Sequence, residues 1–400
     1  MIEITLEEEL LNTAGVSLKV IGVGGAGSNA VNSMIASGDM ETVTFIVANT
    51  DAQALNQSPA RYKIQLGKKI TKGLGAGANP EVGKRAAEED IDAVKELLEG
   101  TDILFLTGGL GGGTGTGALP VIAKTAKEMG ILTVGVVTKP FSFEGKRRAK
   151  YAEEAFNSIK DILDTLIVVP NQKLLEISDP KISMLNAFAL SNDILKQGIK
   201  GISDIITRAG HINVDFADVR TIMKDTGMAI MGTGRASGPE RAKQAALRAI
   251  SSPLLENASI KGAKGVLINI TGNEDLELQE INEAASMVYD MVSPEANIIM
   301  GSVIDKTLGN EICVTIIATG LDALLSKPAA VVTPAVVEPV VTPVVPPVVT
   351  MVPEAAPASP AVEMKAKPAH ESVVPVEESF DMNNLDTPTF MRKKAESHKE

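Results

Sequence analysis

Apolar residues along the first 320 positions fall into two alternating arrangements. Short continuous runs appear at SLKVIGVG (17–24), TVTFIVANT (42–50), DILFLTGG (102–109), ILTVGVVTKP (131–140) and TLIVVPN (165–171). Runs of this length bounded by glycine, proline or asparagine predict buried strands. Between them, SNAVNSMIAS (28–37), PEVGKRAAEEDIDAVKELLEG (80–100), ALPVIAKTAKEMG (118–130) and RRAKYAEEAFNSIKDILD (147–164) carry apolar positions at helical spacing. The helix over 80–100 has proline in its first turn and glycine at its end. Repeated strand–helix–strand units predict an α/β fold, a doubly wound parallel sheet with its ligand at the carboxyl ends of the strands.

The pattern then changes. SMLNAFALSNDILKQGIKGISDIITRAG (183–210) keeps helical spacing for more than twenty residues, which predicts one long central helix. After it come ADVRTIMK, a helix at PERAKQAALRAIS, the strand KGVLINITG, a helix at LQEINEAASMVYDMV, and the strands NIIMGSVID and EICVTIIATG. These make a second, smaller α/β domain, with the boundary on the long helix.

Composition breaks at the end of this region. All 35 glycines lie at or before Gly320, and residues 328–378 hold 11 of the 21 prolines. Each proline removes a backbone donor and fixes φ, so this stretch reads as a disordered linker of polyproline-II character. Aromatic residues return in SFDMNNLDTPTFMRKKAESHKE (379–400), an amphipathic segment suited to binding a partner at the end of a long tether.

The net charge of −12 argues against nucleic-acid binding, which needs a basic surface. The single cysteine, Cys313, sits in an apolar run and has no partner within the chain, which fits a reducing compartment. The start MIEITLEEEL is acidic where a signal peptide would be basic, and no apolar run reaches the length of a membrane span. A cytoplasmic protein is expected.

Chemistry concentrates in the glycines. Gly22-Val-Gly24-Gly25-Ala-Gly27 follows the first strand and opens a helix, with Asp51 at the end of the second strand. Alone, this is the fingerprint of a dinucleotide-binding dehydrogenase. GGLGGGTGTG (108–117) is a second such loop, and TKGLGAGANPEVG (71–83) is a third glycine-rich stretch that would close over a terminal phosphate. Side-chain-free backbone at a helix N-terminus lets unpaired N–H groups reach phosphate, with Thr114 and Thr116 as added hydroxyl donors. Two such loops would hold an oligophosphate from both sides. No P-loop motif is present, and the three histidines (His211, His370, His398) form no hydride-transfer constellation.

GGGTGTG resembles the signature of the tubulin and FtsZ superfamily of GTPases. NTDAQAL (49–55), TKGLGAGANPEVG, TKPFSFEGKRR (138–148) and NVDFADVR (213–220) look like its bacterial cell-division branch. The resemblance runs from about Val16 to Gly320 and returns around LDTPTFMRKK. It implies a flexible N-terminus (1–15), a GTP-binding domain (16–183), the central helix (184–210) and a C-terminal activation domain with the catalytic loop (211–322). A disordered linker (323–379) and a partner-binding tail (380–400) follow.

The same resemblance implies that Gly25, Ala26, Gly27, Ser28 and Asn29 cradle the α and β phosphates. Gly112, Gly113, Thr114, Gly115 and Thr116 would surround the phosphates, and Glu144 and Arg148 would make ribose- and phosphate-side contacts. Asn171 and Asp193 correspond to guanine-reading positions, and Phe188 to a residue stacked on the base. A carboxylate accepts from both N1–H and the exocyclic amine of guanine. The resemblance places Asn213, Asp215 and Asp218 in the nucleotide site of the next subunit, where they would position the attacking water. Hydrolysis would then occur only at the junctions of head-to-tail filaments. GTP/GDP is the implied ligand, with Mg2+ held mainly through its phosphates and no metal site of the protein's own. The tail, at Asp386, Pro388, Phe390 and Arg392, would bind membrane-anchoring division adaptors such as FtsA or ZipA and regulators of assembly. This places the protein at the mid-cell division ring under the inner membrane. A cytoskeletal homologue that assembles without useful hydrolysis is opposed by the presence of both Asp215 and Asp218.

Overall fold

The computed structural model describes residues 15–177, 181–208, 210, 212, 214–255 and 260–321. The expected linker and tail, and all but the last residue of the expected N-terminal segment, lie outside the described residues. The chain starts with β1 (Leu18–Val23), α1 (Gly24–Ser37), β2 (Thr44–Asn49), α2 (Ala52–Gln57), β3 (Tyr62–Gln65) and α3 (Lys68–Thr71). It continues through α4 (Pro80–Glu89), α5 (Ile91–Leu98), β4 (Ile103–Gly109), α6 (Thr114–Glu128), β5 (Leu132–Lys139), α7 (Lys146–Ile159), β6 (Thr165–Pro170) and α8 (Asn171–Ile177). The long helix α9 (Met184–Thr207) follows, then α10 (Phe216–Met223), β7 (Gly227–Ser237) and α11 (Arg241–Ile250). The last described elements are β8 (Gly265–Gly272), α12 (Leu278–Tyr289), β9 (Asn297–Ile304) and β10 (Glu311–Thr319).

All ten strands form one sheet in the order β3-β2-β1-β4-β5-β6-β7-β10-β8-β9. The first six are parallel, and β1 lies between β2 and β4. Apart from the edge strand β3, both faces of these strands are largely buried, so they read as unbroken apolar runs rather than alternating ones. Leu18 and Val20 of β1, with Ile103 and Phe105 of β4, face one core. Ile21 and Val23, with Leu104 and Leu106, face the other. On α9, Ile194, Leu195, Ile199, Ile202 and Ile205 fall on one stripe and seal the first core.

The sheet narrows where its halves join. Strands β6 and β7 share only three register pairs, Thr165↔Gly227 to Ile167↔Ala229. Asp164 stitches this junction. Its carboxylate accepts from the Thr133 N–H and hydroxyl, both at 2.9 Å, and its carbonyl accepts from Thr226 and Gly227. Lys127, at the end of α6, reaches both Asp164 (3.4 Å) and Asp225 (2.8 Å). Beyond the junction, β10 is inserted antiparallel between β7 and β8. Cys313 lies on β10, where burial pushes its thiol pKa up. No helix among the described residues is long and apolar enough to cross a membrane.

The structure departs from the sequence expectations in four elements. The helix expected over 80–100 is two, α4 and α5, broken at Asp90 (φ −111°, ψ 23°), whose carboxylate accepts from the Gly67 N–H at 2.6 Å. Helix α6 begins at Thr114, inside the glycine loop, four residues before the expected start. Strand β3 is only four residues long, with one buried side chain. Strand β7 reads GMAIMGTGRAS, and its glycines hid a strand. Any side chain at Gly232 or Gly234 would overlap the backbone of α11, which packs directly on β7.

In the C-terminal half, Arg241 clamps α11 to α12. Its guanidinium bonds Glu280 at 2.7 and 3.0 Å, Asp275 at 3.1 Å and the Asn310 carbonyl at 3.1 Å. The Arg241 hydrogen bonds hold the Glu280 carboxyl below its usual pKa. A carboxyl depressed in the folded state stabilises fully above its unfolded pKa and loses that contribution as pH falls through the folded value. The Arg241→Met variant should therefore be about 2 kcal/mol less stable near neutrality. Its deficit in thermal midpoint relative to the native protein should shrink below about pH 4, where Glu280 protonates in the unfolded chain. A deficit that stays constant from pH 7 to pH 3 would assign it to lost packing instead.

Candidate functional site

A cleft of about 410 Å³ opens at the carboxyl ends of β1, β4 and β5. In the strand order, β1 and β4 flank the point at which successive strands begin to add on the opposite side. Open α/β sheets bind ligands at such a switch point. Two loops make the floor. Val23 runs straight into α1 at Gly24, and β4 runs through Leu110–Gly113 into α6. Neither helix has a side-chain cap or an acid in its first turn. By contrast α2, α4, α9 and α10 are capped by Asp51, Asn79, Ser183 and Asp215. The first N–H groups of α1 and α6 are thus left for an anion in the cleft.

Most of the glycines serve the packing that builds this floor. A Cβ on Gly24 would stand 2.8 Å from the Gly115 nitrogen, and one on Gly113 would be 2.9 Å from the Asn79 nitrogen. A Cβ on Gly117 would overlap the Pro80 carbonyl oxygen. The two helix starts and α4 therefore meet backbone to backbone. Gly25 and Gly112 differ: both line the cleft, and a Cβ on either would meet nothing within 4 Å. They present bare backbone to open space, which fits a phosphate chain lying against them.

The structure gathers eleven of the predicted contacts on the cleft wall: Gly25, Ala26, Asn29, Gly112, Gly113, Thr114, Gly115, Glu144, Arg148, Asn171 and Phe188. Thr114 is held by a 2.6 Å hydrogen bond to Thr50. Arg148 pairs with Glu144 at 2.5 Å, and Glu144 also accepts the Phe141 N–H at 2.9 Å. The Asn171 amide oxygen accepts from the buried Ser191 hydroxyl at 2.8 Å. Phe188 is half-exposed and meets Phe141 edge-on at 5.3 Å. Phe143, stacked on Phe141 at 5.1 Å, leaves most of its surface bare beside it.

Four predicted contacts sit elsewhere. Gly27 packs against the Thr107 carbonyl of β4, and the Ser28 hydroxyl donates to the Gly24 carbonyl at 2.8 Å. Thr116 accepts the Gly111 N–H at 2.8 Å, so its hydroxyl braces the signature loop from behind. Asp193 is exposed and off the wall, whereas Ser191, Asn192 and Leu195 line the cleft together with Phe188. Positions 188, 191, 192 and 195 are spaced i, i+3, i+4, i+7, one face of α9, and that spacing was available in the sequence.

Asp215 and Asp218 do not line this wall in the chain's own fold. Asp215 caps α10, accepting the Asp218 N–H at 2.8 Å, and both carboxylates are exposed. Asn213 lies outside the described residues. The glycine-rich stretch 71–83 packs its Ala76–Asn79 turn on Gly113 without lining the cleft. A larger groove of about 670 Å³ lies on the outer face, between α4, α5, α6 and α7. Its rim mixes lysines and glutamates, and the start of α4 that borders it is already capped by Asn79. Among the described residues no group of three or more histidines, cysteines or acids is placed to hold a metal ion.

Comparison with known proteins agrees with this geometry. The Tubulin/FtsZ family GTPase domain matches residues 17–179, and the FtsZ family C-terminal domain matches residues 227–322. The cell division protein FtsZ of Pseudomonas aeruginosa is 54% identical over 315 residues, 79% of this chain and 80% of that protein. The solved empty FtsZ dimer of M. jannaschii is 43% identical, with a TM-score of 0.75 over 79% of this chain and 91% of its own. CetZ2 of Haloferax volcanii, in a GTPγS-bound protofilament, shares the fold at 20% identity, with a TM-score of 0.63 over 76% of this chain and 92% of its own. The chain belongs to the FtsZ family of tubulin-like GTPases.

Proposed function

We propose that this polymerising cell-division GTPase hydrolyses GTP only where one subunit's α10 loop meets the nucleotide of the next. One observation carries the reading: α9 separates the two halves of the machinery. The cleft touches α9 at Phe188–Leu195, and Asp215 and Asp218 follow its far end. At 1.5 Å per residue, Asn192 and Thr207 lie about 20 Å apart along the helix. Neither carboxylate lines its own chain's cleft, which supports a site completed by another subunit. A head-to-tail neighbour can supply them, and such a contact generates open filaments.

In this reading Gly25, Gly112 and the free N–H groups of α1 and α6 hold the phosphates. Glu144 and Arg148 flank the ribose side, and Phe188 with Asn171 and Asn192 flanks the base. Asp215 and Asp218 of the next subunit, with Asn213, orient the attacking water toward the terminal phosphate. Mg2+, held mainly through the phosphate oxygens, offsets their charge. The protein acts in the cytoplasm at the mid-cell ring under the inner membrane, where the tail (380–400) engages membrane-anchoring adaptors such as FtsA or ZipA.

Asp218→Ala should bind GTP and form filaments while releasing phosphate at least about a hundredfold more slowly. Normal turnover in that variant would sink the shared site. A second pair of variants tests the phosphate cradle. Gly112→Val should fill the cleft and weaken GTP binding by tenfold or more, about 1.4 kcal/mol, with the thermal midpoint unchanged. Gly113→Ala should lower the midpoint, because its Cβ meets the Asn79 backbone. Equal loss of midpoint in both would show that Gly112 is a packing glycine as well.

A further inference from the structure

The C-terminal half of α9 carries Lys196, Lys200 and Asp204, each four residues from the last and therefore on one stripe, and Arg208 follows as its C-cap. The stripe meets two carboxylates from outside the helix: Asp39, after α1, and Asp305, at the end of β9. Lys200 sits at the centre, 2.8 Å from Asp204, 3.4 Å from Asp305 and 3.7 Å from Asp39. Arg208 reaches Asp204 at 3.3 Å and Asp305 at 3.5 Å, and donates to the Asp39 carbonyl. Lys196 reaches Asp39 at 3.8 Å. Three bases thus balance three acids, and the Asp204 and Asp305 side chains are only 4% and 7% exposed. Removing one partner from such a group strands a buried charge.

The strand that supplies Asp305 also holds the start of the α10 loop. The Ile212 N–H donates to the Ser302 hydroxyl at 3.0 Å, and the Ser302 N–H donates to the Ile212 carbonyl at 3.2 Å. Gly210 lies so close to the Ser302 carbonyl that a side chain there would overlap it. Val214 is buried in the core that contains Val303 and Ile205. The described residues between α9 and α10 are thus tied to β9 at Ser302 through Ile212 and to the core through Val214. Asp305, three residues beyond Ser302, closes the loop back onto Lys200 and Arg208.

We infer that Lys200 and Ser302 are positioning residues for the water-orienting loop, an inference that rests on the proposed role of Asp215 and Asp218. Neither lines the nucleotide cleft. Lys200 neutralises the carboxylates that join α9 to β9, and Ser302 ties the loop to that same strand. Their joint effect is to present Asp215 and Asp218 in one geometry before a neighbour docks. A small misplacement of a catalytic group costs turnover while leaving a cleft built from other elements intact.

The test uses full-length Lys200→Met, Lys200→Arg and Ser302→Ala. GTP affinity, sedimentable polymer and phosphate release per sedimented subunit are measured for each. In Lys200→Met and Ser302→Ala, affinity and polymer should stay within about twofold of the native protein while release per subunit falls about tenfold. Lys200→Arg, which keeps the charge, should restore most of the release. Unchanged release per subunit in both variants would overturn the inference, as would an equal fall in GTP affinity, which marks general destabilisation. If Lys200→Met fails to fold, Ser302→Ala, which loses only a hydroxyl, decides the question. Asp218→Ala in the same assay separates the two readings. If it turns over normally, the shared site itself is wrong. If it is slow while both positioning variants are normal, only the positioning role fails.

Discussion

The site depends on close approach of backbone to backbone. Helices α1 and α6 begin within van der Waals reach of each other's main chain, at Gly24 against Gly115, and α4 meets the second loop at Gly83 and Gly117. A single Cβ at any of these points would drive the helices apart and turn their N–H groups away from the cleft. Glycine costs order on folding, and here that cost is offset by the buried apolar surface on both faces of the parallel sheet. Only after this packing is satisfied do Gly25 and Gly112 remain as bare surface for a ligand.

Much of this was legible in the sequence, because buried parallel strands and amphipathic helices leave strong periodic signals. Both glycine loops, the long helix and the two-part organisation could be placed from those signals and from the family resemblance. What was not legible depended on tertiary neighbours. Strand β7 looks like a loop because Gly232 and Gly234 make room for α11, a fact about α11 rather than about β7. The break at Asp90 follows from its bond to the Gly67 N–H, twenty-three residues away. Thr116 looked like a phosphate donor, but the turn of α6 sends its hydroxyl back to the loop.

The long helix is the element on which binding and catalysis both rest. One stripe of α9 closes the apolar core, its N-terminal half lines the nucleotide cleft, and its C-terminal half carries the charges that meet Asp39 and Asp305. Its buried positions run from Ala187 to Ile205, so a single helix spans both the cleft wall and the charged stripe. Because α9 is anchored to the N-terminal half through Asp39 and to the C-terminal half through Asp305, neither half sets its position alone.

The order of strands in the sheet also governs how the protein is made. The last described strand, β10, is an interior one, hydrogen-bonded on both sides to β7 and β8. Until it is synthesised, both of those strands are open edges with unpaired donors and acceptors, a template for pairing with other chains. The N-terminal six strands meet no such delay, since every one of them precedes β7 in the chain. A ribosome therefore carries a completed nucleotide-binding half beside an unclosed partner, and the emerging chain is most exposed to aggregation just before its final strand arrives.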